Sequence, residues 1–428
     1  MVYKLPTYFR STRDRVEIPS GEKDALRRLA EGVAEIAGKP IQAERSDLWR
    51  RINRLERVRP PINFHVEELA WLEIMPESTF QTHHPAARHY ETLLRRKIWE
   101  FENLDDDRVV SDIIEYPTVL HDTGIGLAAR RIAPSETTGA YHCEPVVTEH
   151  DDIEKILTTP EIVLNRSATE MNRMEAEEVF DGVLYVEGSA GTSYGASVID
   201  TWCELRGMDQ VFVDMINEPE WTHRAIGKLV ANWENRLISL EAQDLLKLNN
   251  GAEECYNGGF ALTDQLPSPQ YDGSRVRLED LWGFSAAQAF VSVSPEMHAD
   301  FIIPYEKRVL SRFGLSALAC CEPMDEKLID ARIIPNLRRV SMSEWVDVER
   351  AAKAAGSDII FSYKPTGTRV AANVWDEESD RHYLRDFLEK SRGCVVEIVN
   401  NTISTCRGDV DRIRGWTRNA KELAEQFA

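Results

Sequence analysis

The chain has 428 residues, a 43% hydrophobic and 29% charged composition, and a formal net charge of −21. That composition is that of a globular protein with a large core. The acidic balance excludes nucleic acid as a natural partner, because phosphate binding needs a basic face.

No run approaches the ~18 apolar residues a membrane span needs. The opening MVYKLPTYFRSTRDR lacks the apolar centre of a signal peptide. The expectation is a cytoplasmic protein with no membrane partner. The seven cysteines, Cys143, Cys203, Cys255, Cys320, Cys321, Cys394 and Cys406, are odd in number. They read as free thiols or metal ligands rather than a disulfide framework.

Residues 1–60 are charged and helix-prone, and RSDLWRRINRLERVRP ends at the pair Pro60–Pro61. They read as an N-terminal helical extension, followed by a catalytic domain over 61–428. The first strand candidate is Pro61–Val66. His83 and His84 read as surface loop. Residues 128–180 carry weak signals and read as an excursion around the active site. YHCEP (141–145) gathers His, Cys and Glu without a clear local structure. Further strand candidates are Val183–Glu187, Ala252–Tyr256 and Leu281–Phe290. GSAGTSYG (188–195) could cradle an anion through backbone N–H groups or simply be a flexible turn.

The last third is the most regular. Helical Pro295–Phe313 leads to the apolar run Leu315–Cys321, and Asp325–Ile334 to Leu337–Met342. Asp347–Ala355, ended by Gly356, leads to Asp358–Tyr363. Glu377–Ser391, ended by Gly393, leads to Cys394–Val399, and Asp409–Phe427 closes the pattern. Such alternation predicts parallel strands covered by helices, with the two glycines at helix ends. Four clear and about four fainter strands predict an α/β (β/α)8 TIM barrel. No glycine-rich nucleotide-binding turn follows any strand.

In such a barrel the chemistry lies just past each strand. The strand tips carry His65, Glu67 and Glu68, then Tyr256 and Asn257, then Cys320, Cys321 and Glu322. Gln288, Glu344, Tyr363, Lys364, Asn400, Asn401 and Cys406 follow. Cys321, Glu344 and Cys406 offer two thiolates and a carboxylate, a donor set that suits Zn²⁺. Both vicinal cysteines could equally be small core residues. Cys394 begins a strand and reads as core, as do Trp49, Trp71, Trp99 and Trp202.

VSPEMHADFIIPYEKRVLSRFGLSALACCEP and DTWCELRGMDQVFVDMINEPEWTH resemble the uroporphyrinogen decarboxylase superfamily, with a fainter echo in RINRLERVRPPINF. The likeness spans roughly residues 180–428. It implies either a cofactor-free decarboxylase or a zinc methyltransferase working with a corrinoid protein or free cobamide. In the zinc branch, Cys321 falls on the cysteine of a His-x-Cys motif and Cys406 on a late cysteine. Ala319 occupies the histidine position, and Glu344, with Glu322 second, is the replacement expected. The arginine-rich porphyrin signature is missing.

The expectation is a zinc-dependent methyltransferase moving a methyl group between a small methoxylated, methylated or thiol compound and a corrinoid (cobalamin) cofactor. Cys321, Glu344 and Cys406 would bind metal, and Glu344 and Tyr363 would be catalytic. His65, Glu67, Tyr256, Asn257, Gln288 and Glu322 would line the substrate pocket. The superfamily likeness also admits a homodimer.

Overall fold

The computed structural model describes residues 17–132, 141–191, 194–255 and 258–427. Helices α1 (Ser20–Ala37) and α2 (Pro40–Asn53) precede strand β1 (Ile62–Val66), α3 (Glu68–Ile74) and α4 (Pro85–Asn103). Strand β2 (Ile113–Pro117) opens the excursion formed by β3 (Leu120–Asp122), β4 (Arg130–Ile132), β5 (His142–Glu144) and β6 (Ile162–Leu164). Then come α5 (Arg166–Phe180), β7 (Tyr185–Ser189), β8 (Gly195–Ala196), α6 (Val198–Arg206), α7 (Met208–Asn217) and α8 (Pro219–Ala242). The regular part runs through β9 (Trp282–Ser285), α9 (Pro295–Phe301), α10 (Ile303–Leu310), β10 (Leu315–Leu318) and α11 (Leu328–Ala331). It ends with β11 (Leu337–Ser343), α12 (Val348–Ala355), β12 (Ile360–Lys364), α13 (Glu377–Lys390), β13 (Val395–Ile403) and α14 (Asp411–Gln426).

Seven strands form one parallel sheet in the order β1-β13-β12-β11-β10-β9-β8, and β2 pairs parallel with β7 in a separate ribbon. The chain is therefore an α/β protein with a parallel half-barrel. The closed eight-stranded barrel expected from the sequence is not formed among the described residues.

Side chains take the place of the missing ladders. At the free edge of β1, Asp107 accepts from the Ile62 N–H at 2.9 Å and Asp106 from the Phe64 N–H at 3.3 Å. At the edge of β9, the Asn249 amide pairs with both Trp282 N (2.9 Å) and Trp282 O (3.0 Å), as a strand residue would. Exposed edge groups are costly when buried, and these polar side chains satisfy them without a neighbouring strand.

Period-two alternation decides what reaches the sheet interior. On β12, Phe361 and Tyr363 face outward and pack on Phe387 of α13, with ring centroids 5.4 and 3.7 Å apart. Ser362 and Lys364 therefore point inward. On β1, Phe64 joins the outer core while Asn63 and His65 face in. The inner wall holds Trp282, Phe284, Leu315, Ala317 and Cys320, joined by Cys255 and Ala261. Trp49 and Ile52 of α2 close its base with Phe260, Ile360 and Val395.

Local signals explain the regular part. Asp347 caps α12 by accepting from Arg350 N at 3.0 Å, and Gly356 ends that helix at φ 61°. Asp376 caps α13 through Ser379 N at 3.0 Å. The excursion pairs antiparallel, β3 with β6 and β4 with β5, and His142–Glu144 of the YHCEP segment is the strand β5. His84, expected on the surface, is buried at the N-terminus of α4; His83 is exposed. Among the described residues no helix is long and apolar enough to cross a membrane.

Candidate active site

Two strand ends build the core of the site. After β10 the backbone turns at Ala319, whose φ is 66°, and presents Cys320 and Cys321 side by side with their sulfurs 3.5 Å apart. Glu322 holds this turn rigid: its carboxylate accepts from Cys320 N at 2.5 Å and from Ala287 N, beyond β9, at 2.9 Å. Lys364 at the end of β12 places Nζ 3.8 Å from Cys320 Sγ.

The two thiols titrate apart. The hydrogen bond from Cys320, helped by the Lys364 ammonium, outweighs burial and brings Cys321 down to about 7. The same hydrogen bond, together with burial, pushes Cys320 far up. Cys321 is half-buried and Cys320 buried, so the thiol nearer neutrality is also the accessible one.

At the end of β1, His65 Nε2 lies 3.0 Å from a Glu254 oxygen. Asn63 donates to that carboxylate at 3.1 Å, and Arg108 stands 3.6 Å from it. Burial alone would raise the Glu254 carboxyl, but His65, Arg108 and Asn63 hold it at about 2. Glu67, two residues beyond His65, is half-buried, and burial raises its carboxyl against the opposing pull of His65. Its charge also acts on Cys321, so the ends of β1 and β10 share one electrostatic environment.

A second acidic group lies behind the thiols. Glu306 is buried, with one oxygen accepting from Ser285 Oγ at 3.2 Å and the other without a partner among the described residues. Burial, then the Glu322 charge, raises its carboxyl to about 8. Burial likewise raises Asp200 to about 6, although it accepts from Ala289 N at 2.7 Å.

His65, Glu67 and Cys321 stand at or just past the C-terminal ends of β1 and β10, while Glu344, Tyr363 and Cys406 face elsewhere. Glu344 and Tyr363 face a cleft of about 340 Å³ between α12 and α13, lined also by Asp347, Tyr383 and Lys390. Tyr363 is buried there, hydrogen-bonded to the Tyr383 hydroxyl, because alternation turns it toward the helices. Cys406 is fully buried and donates to Glu73 at 3.1 Å. Glu322 is engaged with backbone N–H groups and lines no free surface. Gln288 is exposed at the rim after β9. Tyr256, Asn257 and the side chain of Asn401 lie outside the described residues, as do Thr192 and Ser193 of the glycine-rich loop.

The expected zinc set therefore does not assemble. Among the described residues no three His, Cys, Asp or Glu side chains are grouped to hold a metal ion. Strand-tip position alone suggested convergence, but Glu344 sits one residue past the inward-facing Ser343 and so points out.

Sequence reasoning missed Glu254, Asn63 and Arg108. Glu254 belongs to Ala252–Tyr256, expected as a strand, which among the described residues forms only an isolated bridge to Phe260, so its side chain was not among those expected at a strand tip. Arg108 ends the polar run Asp105–Arg108 and is buried, donating to Phe64 O at 2.6 Å.

A methyltransferase from Methanosarcina mazei has a similar structure, with a TM-score of 0.50 at 11% sequence identity over 87% of this chain and 97% of that one. At that identity the likeness shows the fold alone. No family model matches the sequence, and no curated protein matches it.

Proposed function

We propose that the protein is a methyltransferase acting on a small methoxylated or methylated compound at the open end of the half-barrel, with a corrinoid as the methyl carrier. The observation that carries this reading is the place of Cys321, Glu67 and His65 at or just past the C-terminal ends of β10 and β1, with the Glu67 charge acting on Cys321. This is the end at which parallel barrels do their chemistry. The fold it shares with the methyltransferase from Methanosarcina mazei is one on which methyl transfer is carried out.

The surroundings of the site suit a broad carrier. The segments that follow β1, β11 and β12 expose Leu72 (62%), Trp345 (77%) and Val374 (81%), single apolar side chains available to a broad carrier. When bound, the corrinoid would supply the nucleophile that receives the methyl group.

The chain's own residues would do the rest. Glu67, whose carboxyl burial raises above its ordinary value, gives its proton to the oxygen, nitrogen or sulfur that the methyl group leaves. His65, fixed by Glu254, orients the donor. The partly ionised Cys321 sets polarisable negative charge beside the methyl carbon, which gains positive character as its bond breaks. Zinc has no role in this reading, since its expected ligands stand apart.

The same observation supports a second reading, a metal-free lyase of the decarboxylase type using Glu67 as its acid. Mixing the protein with cob(I)alamin and a panel of methoxylated and methylated compounds separates the two. Donor-dependent loss of the cob(I)alamin spectrum is expected. Release of CO2 from a carboxylate substrate without any spectral change would overturn methyl transfer.

A further inference from the structure

Lys364 is 4% exposed, and its ammonium has one partner among the described residues, the Cys320 sulfur at 3.8 Å. A thiol at that distance is a poor acceptor for three N–H donors. Apart from Glu67, assigned to the reacting end, the inward carboxylates named above are committed elsewhere. Glu397 accepts from Arg339 at 3.0 Å and from Gly259 N at 2.9 Å. Glu254 is held by His65 and Asn63, and Glu322 by two backbone N–H groups.

Two hydroxyls beside Lys364 are in the same position. Ser343 is its register partner on β11, and Ser362 lies two residues before it on β12. Both are buried, and both Oγ atoms lack a partner among the described residues. Alternation turns all three side chains to the interior face, where no carboxylate among the described residues pairs with the ammonium and neither hydroxyl is within hydrogen-bond distance of another group. A buried ammonium without a carboxylate partner is costly, and an anion from outside the chain offsets that cost while giving the two hydroxyls an acceptor.

We infer that Lys364, with Ser343 and Ser362, forms a binding subsite for a carboxylate group of the substrate. The methyl donor is then a small carboxylic acid, its acid end against β11 and β12 and its methyl end toward Cys321 and Glu67. An ammonium flanked by hydroxyl donors is a charge-assisted site for a two-oxygen acceptor. The neighbouring thiols do not replace the ligand in this scheme: they form the side wall between the acid end and the reacting end. This assignment rests on the open end of the half-barrel being the site of reaction.

The test titrates 4-methoxybenzoate and its uncharged analogue 4-methoxybenzamide into the full chain by calorimetry, for wild type, Lys364→Met, Lys364→Arg and Ser343→Ala. Wild type should bind the carboxylate at least tenfold more tightly than the amide. Lys364→Met should abolish that preference, Lys364→Arg should retain part of it, and Ser343→Ala should weaken carboxylate binding severalfold with the fold intact by circular dichroism. Equal affinity for the two compounds, no binding of either, or a preference that survives in Lys364→Met overturns the subsite. Should Lys364→Met fail to fold, an undiminished carboxylate preference in Ser343→Ala overturns it as well. A Lys364-dependent preference without any methyl transfer leaves the subsite standing and removes the proposed reaction. Equal methyl transfer from neutral and anionic donors does the opposite.

Discussion

Cys406 gives its thiol hydrogen to a carboxylate oxygen of Glu73 at 3.1 Å, and that carboxylate also accepts from the backbone of Cys406 and Gly408 at 3.0 Å. Glu73 belongs to α3 and Cys406 to the turn after β13, so the pair ties the first helix of the half-barrel to its last strand. The late cysteine is thus a structural tether rather than a ligand.

A tether needs only a hydrogen-bond donor. Cys406→Ser should keep the bond to Glu73 and lose about 1 kcal/mol or less of stability, the usual scale for one modestly altered buried hydrogen bond. Methyl-transfer activity should stay within about twofold, a change far below the loss of a group acting in the transition state. Urea unfolding and steady-state rates check both.

Glu306 sets a pH dependence of stability. Its carboxyl titrates at about 8 in the folded chain, against an ordinary value of 4.5. Between those values the folded state keeps a proton that the unfolded state has lost. Stability therefore falls as pH rises from 4.5 to about 8 and levels off above it, by at most ~1.4 kcal/mol per pH unit. Glu306→Gln should flatten that slope, so its urea midpoint should change less than wild type between pH 6 and pH 8. An unchanged slope would show that another group titrates.

The pair Arg339–Glu397 spans β11 and β13 at 3.0 Å with both side chains wholly buried. Removing one partner strands the other charge. Glu397→Ala should cost about 3–5 kcal/mol, while a joint replacement such as Arg339→Met with Glu397→Leu should recover much of it. Chemical denaturation of the two variants decides this.

Glu67 must be protonated to give up its proton. The rate should fall as pH rises through its raised titration, and Glu67→Gln should lose that limb together with about 10²-fold in rate. A pH–rate profile of the variant that keeps the same limb would assign the acid elsewhere.

The helices and strands of the last third were legible because their signals are local: apolar strand runs, Asp caps at 347 and 376, and glycines at 356 and 393 with positive φ. The openings in the barrel were not. They depend on Asp106, Asp107 and Asn249 acting as surrogate strand edges, which only tertiary packing reveals. At the site, His65, Glu67 and Cys321 are read from strand position, and β1 and β10 do end beside them. Glu344 and Tyr363 failed because tip position was used without the inward–outward alternation that places Ser343 and Lys364 inside. Glu254 lay in Ala252–Tyr256, read as a strand, of which only the bridge Glu254–Phe260 forms among the described residues.

The most direct test compares donor-dependent loss of the cob(I)alamin spectrum in wild type, Cys321→Ser and Cys406→Ser. Cys321→Ser should slow it on the order of 10²-fold, as loss of one group stabilising transition-state charge does, while Cys406→Ser stays near wild type. Equal rates in wild type and Cys321→Ser, or a loss confined to Cys406→Ser, would contradict a reaction centred on Cys321.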